Sequence, residues 1–424
     1  MEIQTVRGMR DIIGKDALLE EKIEDTCKKN FKKYGFIPLY TPAVENFELF
    51  KVKGGAGEAI KEEIYYFKDK SDRELALRFE FTASLARVAA TNQLKTPFKR
   101  YQIGEVYRYD RPQAKRYRAF TQADIDILGI PGLEAELELM QIVGDIFSEL
   151  GLAPSVDFNS RKLMQEIIGY YAKGKEVEAM RLLDKIDKVG ETEVEGELEK
   201  IGVNKAIVGI IRENDIAKIT QIVGQASAGL EEVVKFNNLC KENKLDFVKF
   251  NASLARGLEY YTGIVFEAKI ENGPSIAGGG RFDKLVGLYG GNETPAVGIS
   301  FGCSRIFDYL KEKNEEGKIN GIFLFGVGIP STKVMELAKK LRSAEIICET
   351  DLLSRSISKN IEYAEKKGFR CVGILGENEL AKGEVTIKNL INGMQFSIEM
   401  DPEKIRSIMN NKEIYKQKNQ KVEE

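Results

Sequence analysis

RYDRPQAKRYRAFTQADID, residues 108–126, places five basic residues and one acidic residue between Arg108 and Arg118, then alternates polar and apolar side chains. In a strand, residues of one parity share a face. Arg118, Phe120, Gln122, Asp124 and Asp126 therefore lie on one side, and Ala119, Thr121, Ala123, Ile125 and Ile127 on the other. The second set packs; the first is built for polar contact. A water-facing side is common in antiparallel sheets, but the net charge of the loop shifts the balance. Holding it on a hairpin costs repulsion unless an anion is expected there. Guanidinium groups match phosphate oxygens with paired hydrogen bonds and stay charged. Arg108 and Arg118 stand at the rigid roots of the loop and suit a nucleotide, whereas Arg111, Lys115 and Arg116 on its tip suit a larger polyanion. Gln122 and Asp126, beyond the loop, can receive a small molecule bearing an amine or a ring N–H.

Working outward, YQIGEVYRYD and RAFTQADIDILG read as the two strands of a long hairpin. Residues 15–34 carry Leu19, Ile23, Cys27, Phe31 and Tyr34 at helical spacing, which predicts an amphipathic helix. YGFIPLYTPAVENFELF has an extended pattern, LALRFE reads as a strand, and TASLARVAATNQL reads as a helix with Thr82 as its cap. Between about 158 and 247, short helical patterns broken by glycine predict a helical insertion. Strand character returns in TGIVFEAKI, SIAGGGRFDKLVGLYGG and AVGISFGCSRIFDYL. From about 320 to 424, GIFLFGVG, CVGILG, EVTIKNL and MQFSIEM alternate with helical patterns as a small α/β domain, and the highly charged last fifteen residues are expected to fray.

Composition narrows the chemistry. The chain has 424 residues, no histidine and no tryptophan. Ser-His-Asp and Cys-His catalysis, histidine-ligated metals and a histidine base are excluded, leaving carboxylates, arginine, lysine, tyrosine and the backbone. The net charge of −2 disfavours nonspecific coating of nucleic acid and permits a local basic surface. Five scattered cysteines form no C-x-x-C pair and read as small buried hydrophobes. No apolar run is long enough for a membrane span, and the charged start is no signal peptide; a cytoplasmic protein is expected. Neither GxxxxGK[ST] nor GxGxxG occurs in the glycine-rich segments, so neither a P-loop nor a Rossmann site is expected.

The run FKRYQIGEVYRYDRPQAKRYRAFTQADIDILG resembles motif 2 of the class II aminoacyl-tRNA synthetases, specifically the histidyl family. LRFEFTASLAR, the histidyl-type signature ARGLEYYTGIVFE, and AGGGRFDKLVGLYGG leading into AVGISFGCSR as motif 3 agree with it. YGFIPLYTPAVENFELF sits where motif 1 belongs, and LLSRSISKNIEYAEKKG with ILGENELAKGEVTIKNLINGMQFSI is similar to that family's anticodon-binding domain. RPQAKRYRAFTQADIDI is similar above all to archaeal members. The resemblance implies an α+β fold, with the antiparallel class II sheet flanked by helices (1–157 and 248–316), a helical insertion (158–247) and a C-terminal α/β anticodon-binding domain (320–424).

It also implies a reaction: histidine and ATP, with Mg²⁺, give histidyl-adenylate, and the acyl group passes to the 3′ end of tRNA(His) in a homodimeric ligase. Arg108, Arg256 and Arg305 match the arginines around the phosphates and the reacting carboxylate. Glu80, Thr82 and Gln122 match the residues that hold the substrate amino group, while Asp126 and Tyr261, with Tyr260 beside them, match those that meet the imidazole. Asp110, Arg118 and Gly302 join Arg108 and Arg305 on ATP, and Gln113, Lys115 and Arg116 fall near the tRNA acceptor end; no metal ligand is assigned. Pro42 and its neighbours match a dimer interface. Phe282 stands where the family commonly has Tyr, Lys115 where bacterial members often have Gly, and Asp110 and Asp126 where glutamates are common in bacteria. Alternatives are a non-catalytic paralogue that regulates histidine biosynthesis, a sensor of histidine or uncharged tRNA, and a class II synthetase of other specificity.

Overall fold

The computed structural model describes residues 3–54, 57–109, 116–183, 185–254, 260–270 and 275–410. The chain divides into two compact units, one of residues 1–10 and 23–309, the other of residues 11–22 and 310–424. No helix among the described residues is long and apolar enough to cross a membrane.

The first unit is built on an eight-stranded sheet. In spatial order its strands are Ile37–Pro38, Phe98–Tyr107, Ala119–Leu128, Ala296–Gly302, Ser275–Arg281, Ile264–Ile270, Pro154–Ser160 and Val248–Phe250. All neighbours are antiparallel except the two edge pairs, which are parallel. Strands Phe98–Tyr107 and Ala119–Leu128 pair over their whole length, from Phe98 opposite Leu128 to Tyr107 opposite Ala119. The alternation of residues 119–128 fixes which side packs: Ala123, Ile125 and Ile127 are buried on one face with Val297, Ile299 and Phe301 of the next strand. Phe31, on the helix Lys15–Lys33, lies against that face, its ring 5.9 Å from Phe301 and 5.8 Å from Tyr101.

Two local expectations are revised. The stretch 34–50 is extended only at Ile37–Pro38 and Val44–Asn46 and then turns into the helix Glu48–Gly54, with Phe47 and Phe50 buried three residues apart. Thr82 is not the cap of the helix Thr82–Thr91 but its first residue. The Glu80 carboxylate does the capping, accepting from the Thr82 N–H at 2.7 Å and the Ala83 N–H at 2.8 Å, where a negative charge also suits the helix dipole. The chain leaves the sheet after Ser160, runs through seven described helices between Arg161 and Glu242, and returns at Val248–Phe250, parallel to Pro154–Ser160. This helical stretch belongs to the first compact unit. Arg281 ties strand to helix through two bonds to Glu136, Nε to Oε1 at 2.6 Å and Nη2 to Oε2 at 2.7 Å, both side chains buried.

The second unit holds a five-stranded sheet ordered Ile347–Thr350, Ile319–Gly326, Phe369–Leu375, Glu384–Asn389 and Gln395–Glu399, the first three parallel and the rest antiparallel. Apolar clusters cover both of its faces, one around Leu324, Leu337 and Ile387 and the other around Phe323, Phe369 and Val372. All five cysteines are buried and reduced. The last fourteen residues, expected to fray, lie outside the described residues.

Candidate functional site: a charge gradient across the sheet face

The polar face of the large sheet is organised in cross-strand rows. The first is Arg100, Asp126, Gly298, Gly280; the second is Gln102, Asp124, Ser300, Gly278, Glu267; the third is Gly104, Gln122, Gly302. Successive rows stand two residues apart, so about 14 Å of strand separates the Asp126 row from the Gln122 row.

Acids and phenols gather at one end. Arg100 is 0% exposed, and its Nη2 lies 2.5 Å from Oδ2 of Asp126, itself 3% exposed. A Cβ at Gly298 would meet Asp126 Oδ1 at 1.9 Å, and one at Gly280 would meet the Tyr261 ring at 3.0 Å. Only glycines leave room for these side chains to lie over the neighbouring strands. The Tyr260 hydroxyl donates to the Tyr261 hydroxyl at 2.9 Å, and both residues pack against the buried cluster that includes Leu85, Leu128 and Phe282. Burial pushes Tyr261 up to about 12, helped by the charges of Asp126, Glu80 and Asp124, and burial and Tyr261 push Tyr260 well above its ordinary value. The structure thus brings Glu80, Asp126, Tyr260 and Tyr261 together, and adds Asp124, to which the sequence had assigned no role. Burial pushes the Asp124 carboxyl up to about 7, against the pull of the Arg100 guanidinium.

Guanidinium groups stand at the other end. The Arg108 backbone N–H donates to the Arg118 carbonyl at 2.9 Å, continuing the strand pairing beyond Tyr107 and Ala119. Arg108 Nε donates to the Phe79 carbonyl at 3.2 Å, its guanidinium 5.1 Å from the Phe120 ring centroid, while Arg118 lies 4.2 Å over the Tyr109 ring. These contacts hold the two cations in place. Arg305 is exposed at the start of the helix Cys303–Glu312, beside Gly302, its Nη1 donating to the Ser275 carbonyl at 2.9 Å. Gln122 lies between the two ends, its Oε1 buried and without a hydrogen-bond partner. Thr82 is half-buried beside Glu80, and Arg116 is exposed. Arg256, Asp110, Gln113 and Lys115 lie outside the described residues. The signal for Arg100 was the third position of FKRYQIGEVY, where a cation next to Lys99 reads as solvent-facing until the register pairs it with Asp126.

Residues 8–306 match the family Histidyl-tRNA synthetase, and residues 326–410 match the family Anticodon binding domain. The chain belongs to the histidyl-tRNA synthetase family. A relative called histidine–tRNA ligase from Saccharolobus solfataricus is 36% identical over 429 residues, 95% of this chain and 97% of that one. Another from Bacillus anthracis, called histidine–tRNA ligase 1, is 31% identical over 421 residues, 94% of this chain and 98% of that one. Among solved structures, histidyl-tRNA synthetase from Nostoc sp. is similar with a TM-score of 0.83 at 26% identity, covering 96% of this chain and 100% of that one. The family match spans both ends of the polar face, from Glu80 to Arg305.

Proposed function

We infer that this chain is an ATP-dependent ligase that activates histidine and transfers it to tRNA(His), with the large sheet's polar face as the reaction site. The observation that supports this best is the charge gradient along residues 108–126. Carboxylates and phenols at one end suit an amino acid with an ammonium and a ring N–H, and fixed guanidiniums at the other suit a triphosphate. The attack of the histidine carboxylate on the α-phosphorus joins two anions. Arg108, Arg305 and Arg256 neutralise charge as it develops at phosphorus and align the in-line displacement of pyrophosphate. No proton needs to leave a side chain, so a chain without histidine can run the step. Glu80, Thr82 and Gln122 hold the substrate ammonium, and Asp126 with Tyr260 and Tyr261 selects the imidazole. Asp110, Arg118 and Gly302 complete the nucleotide site.

Among the described residues no three His, Cys, Asp or Glu side chains converge as a metal site. Mg²⁺ would enter with the nucleotide and supply charge neutralisation at its phosphates. The helical stretch 158–247 acts as an insertion domain of the catalytic part (1–157 and 248–316), residues 320–424 bind the anticodon, and Gln113, Lys115 and Arg116 meet the acceptor end. The apolar side chains of Tyr40 and Ile37, exposed beside Pro42, suit a homodimer interface. We further propose a cytoplasmic enzyme of archaeal type, in keeping with the motif 2 wording and the identity to the Saccharolobus relative.

A second reading, a regulatory paralogue without turnover, is kept in view by one likeness. A protein of Bacillus halodurans described as an ATP phosphoribosyltransferase regulatory subunit/histidyl-tRNA synthetase is similar at 19% identity and a TM-score of 0.73, which speaks to fold alone. Amino-acid-dependent ATP–pyrophosphate exchange with each of the twenty amino acids separates the two. Exchange with histidine alone is expected; no exchange, or exchange driven by another amino acid, overturns the assignment.

A further inference from the structure

We propose that Asp124 is a second specificity-determining residue for the amino-acid substrate, its carboxylate accepting a ring N–H of histidine bound over the second row of the polar face. The proposal rests on the functional reading above and deepens it.

Asp124 is 4% exposed, yet its Oδ1 has no hydrogen-bond partner. An acceptor so buried is costly unless something supplies a donor. Its own row offers one donor, the Ser300 hydroxyl, which pulls the carboxyl's titration down while Oδ1 stays without a partner. Gln102, directly opposite on one side, is committed to Thr41, its Nε2 donating to Thr41 Oγ1 at 3.0 Å and its Oε1 accepting from the same hydroxyl at 3.2 Å. On the other side, beyond Ser300, comes Gly278. A Cβ there would meet only the Phe266 carbonyl oxygen, at 3.6 Å, whereas one at Gly279 or Gly280 would strike backbone. The second row therefore opens into free space. Asp126, two residues on, is engaged by the buried Arg100. Gln122, two residues back, presents another acceptor with no partner. A ligand that carries N–H groups meets both of these acceptors.

The phenols add the complementary half. Tyr260 and Tyr261 stay protonated at neutral pH because burial raises both, so they are donors. A neutral imidazole offers one N–H and one bare nitrogen. It can donate to Asp124 and accept from a phenol while Asp126, paired with Arg100, borders the ring, a pairing that aliphatic side chains and phenylalanine cannot make. Such a site rejects them by leaving buried polar groups unpaired.

Two substitutions test this by pyrophosphate exchange. Asp124→Asn is expected to raise the KM for histidine by about 10- to 100-fold, the worth of a hydrogen bond to a charged group, with the KM for ATP unchanged and the melting temperature not lowered. An unchanged histidine KM, or equal rises in both KM values, overturns the proposal, because either shows a role in structure alone. Asp124→Ala opens space beside one ring nitrogen. It should lower the KM of one ring-N-methylhistidine relative to histidine by at least about tenfold and leave the other isomer excluded. This gain cannot arise from misfolding, and its absence for both isomers also overturns the proposal. Wild-type enzyme that shows no histidine-dependent exchange would overturn the functional reading beneath it, a distinguishable result.

Discussion

Asp124 and Asp126 are two residues apart on one strand and buried alike, yet Arg100 sits against only one of them. Their substitutions should therefore act in opposite directions. In the folded protein the Asp124 carboxyl titrates at about 7, against an ordinary value of 3.8. Folding thus disfavours its ionised form. The destabilisation is absent below about pH 4, grows as pH rises toward 7, and is constant above, reaching up to about 4 kcal/mol. Asp124→Asn should remove it, so the variant gains on the wild type in denaturant midpoint between pH 5 and pH 8. Asp126→Asn instead leaves the fully buried Arg100 without its counter-ion. A loss of about 3 kcal/mol is expected, the low end for a broken buried pair, because Asp124 still lies in the field of Arg100. Parity along RAFTQADIDILG was enough to read which side chains face the site. It could not tell which acid was already paired, because Arg100 lies on another strand and meets Asp126 only through the register of the hairpin. The cap likewise passed from Thr82 to Glu80 because a longer carboxylate reaches two backbone N–H groups where a hydroxyl reaches fewer.

At the scale of elements, the strand Ser275–Arg281 spends three consecutive residues on glycine, and the three are not equivalent. A Cβ at Gly279 would lie 2.0 Å from the Gly298 carbonyl oxygen and 2.8 Å from the Ile299 Cα. Nothing there can yield except the sheet itself. Gly279→Ala is expected to cost at least about 3 kcal/mol, the upper range for overpacking, and to appear as lost soluble yield and a lowered melting temperature. Gly278→Ala meets no such obstacle. It should leave the melting temperature within a few degrees of wild type while raising the KM for histidine or ATP, since its methyl group occupies the floor of the open row. The glycine-rich pattern was visible in the sequence, but the difference between Gly278 and Gly279 follows from which partner strand each faces. The strand Ile347–Thr350 was not legible, since four residues without alternation carry little periodic signal. The helix Glu48–Gly54 was hidden in the extended pattern that precedes it.

On the whole-molecule scale the division into two units does not follow the order of the chain. Residues 11–22, the approach to and first half of a helix predicted as one continuous amphipathic element, belong to the same unit as residues 310–424. Hydrophobic spacing predicted the helix; it could not say that its two halves serve different cores. Gly317 marks the attachment within the second unit: a Cβ there would lie 2.4 Å from the Leu18 Cβ and 2.4 Å from the Lys15 carbonyl oxygen. Gly317→Val should destabilise that unit by about 2 kcal/mol, visible as an earlier first step in thermal unfolding. If residues 320–424 serve the tRNA and the large sheet serves chemistry, this variant keeps histidine-dependent exchange near the wild-type rate and loses rate in tRNA charging. Equal losses in both assays would argue against that division of labour.

The buried thiols have a practical consequence. Burial pushes Cys240 and Cys371 up to about 12 and Cys348 up to about 11, and Cys27 and Cys303 are sealed in the core as well. Maleimide dyes need an accessible thiolate, so the native enzyme is effectively blank to them. A single cysteine introduced at the exposed Arg116 would take up one fluorophore without any prior removal of native residues, and with no tryptophan in the chain the background emission is low. If the hairpin tip meets the acceptor end as proposed, the arrival and departure of that end could then be followed in real time from one labelled position.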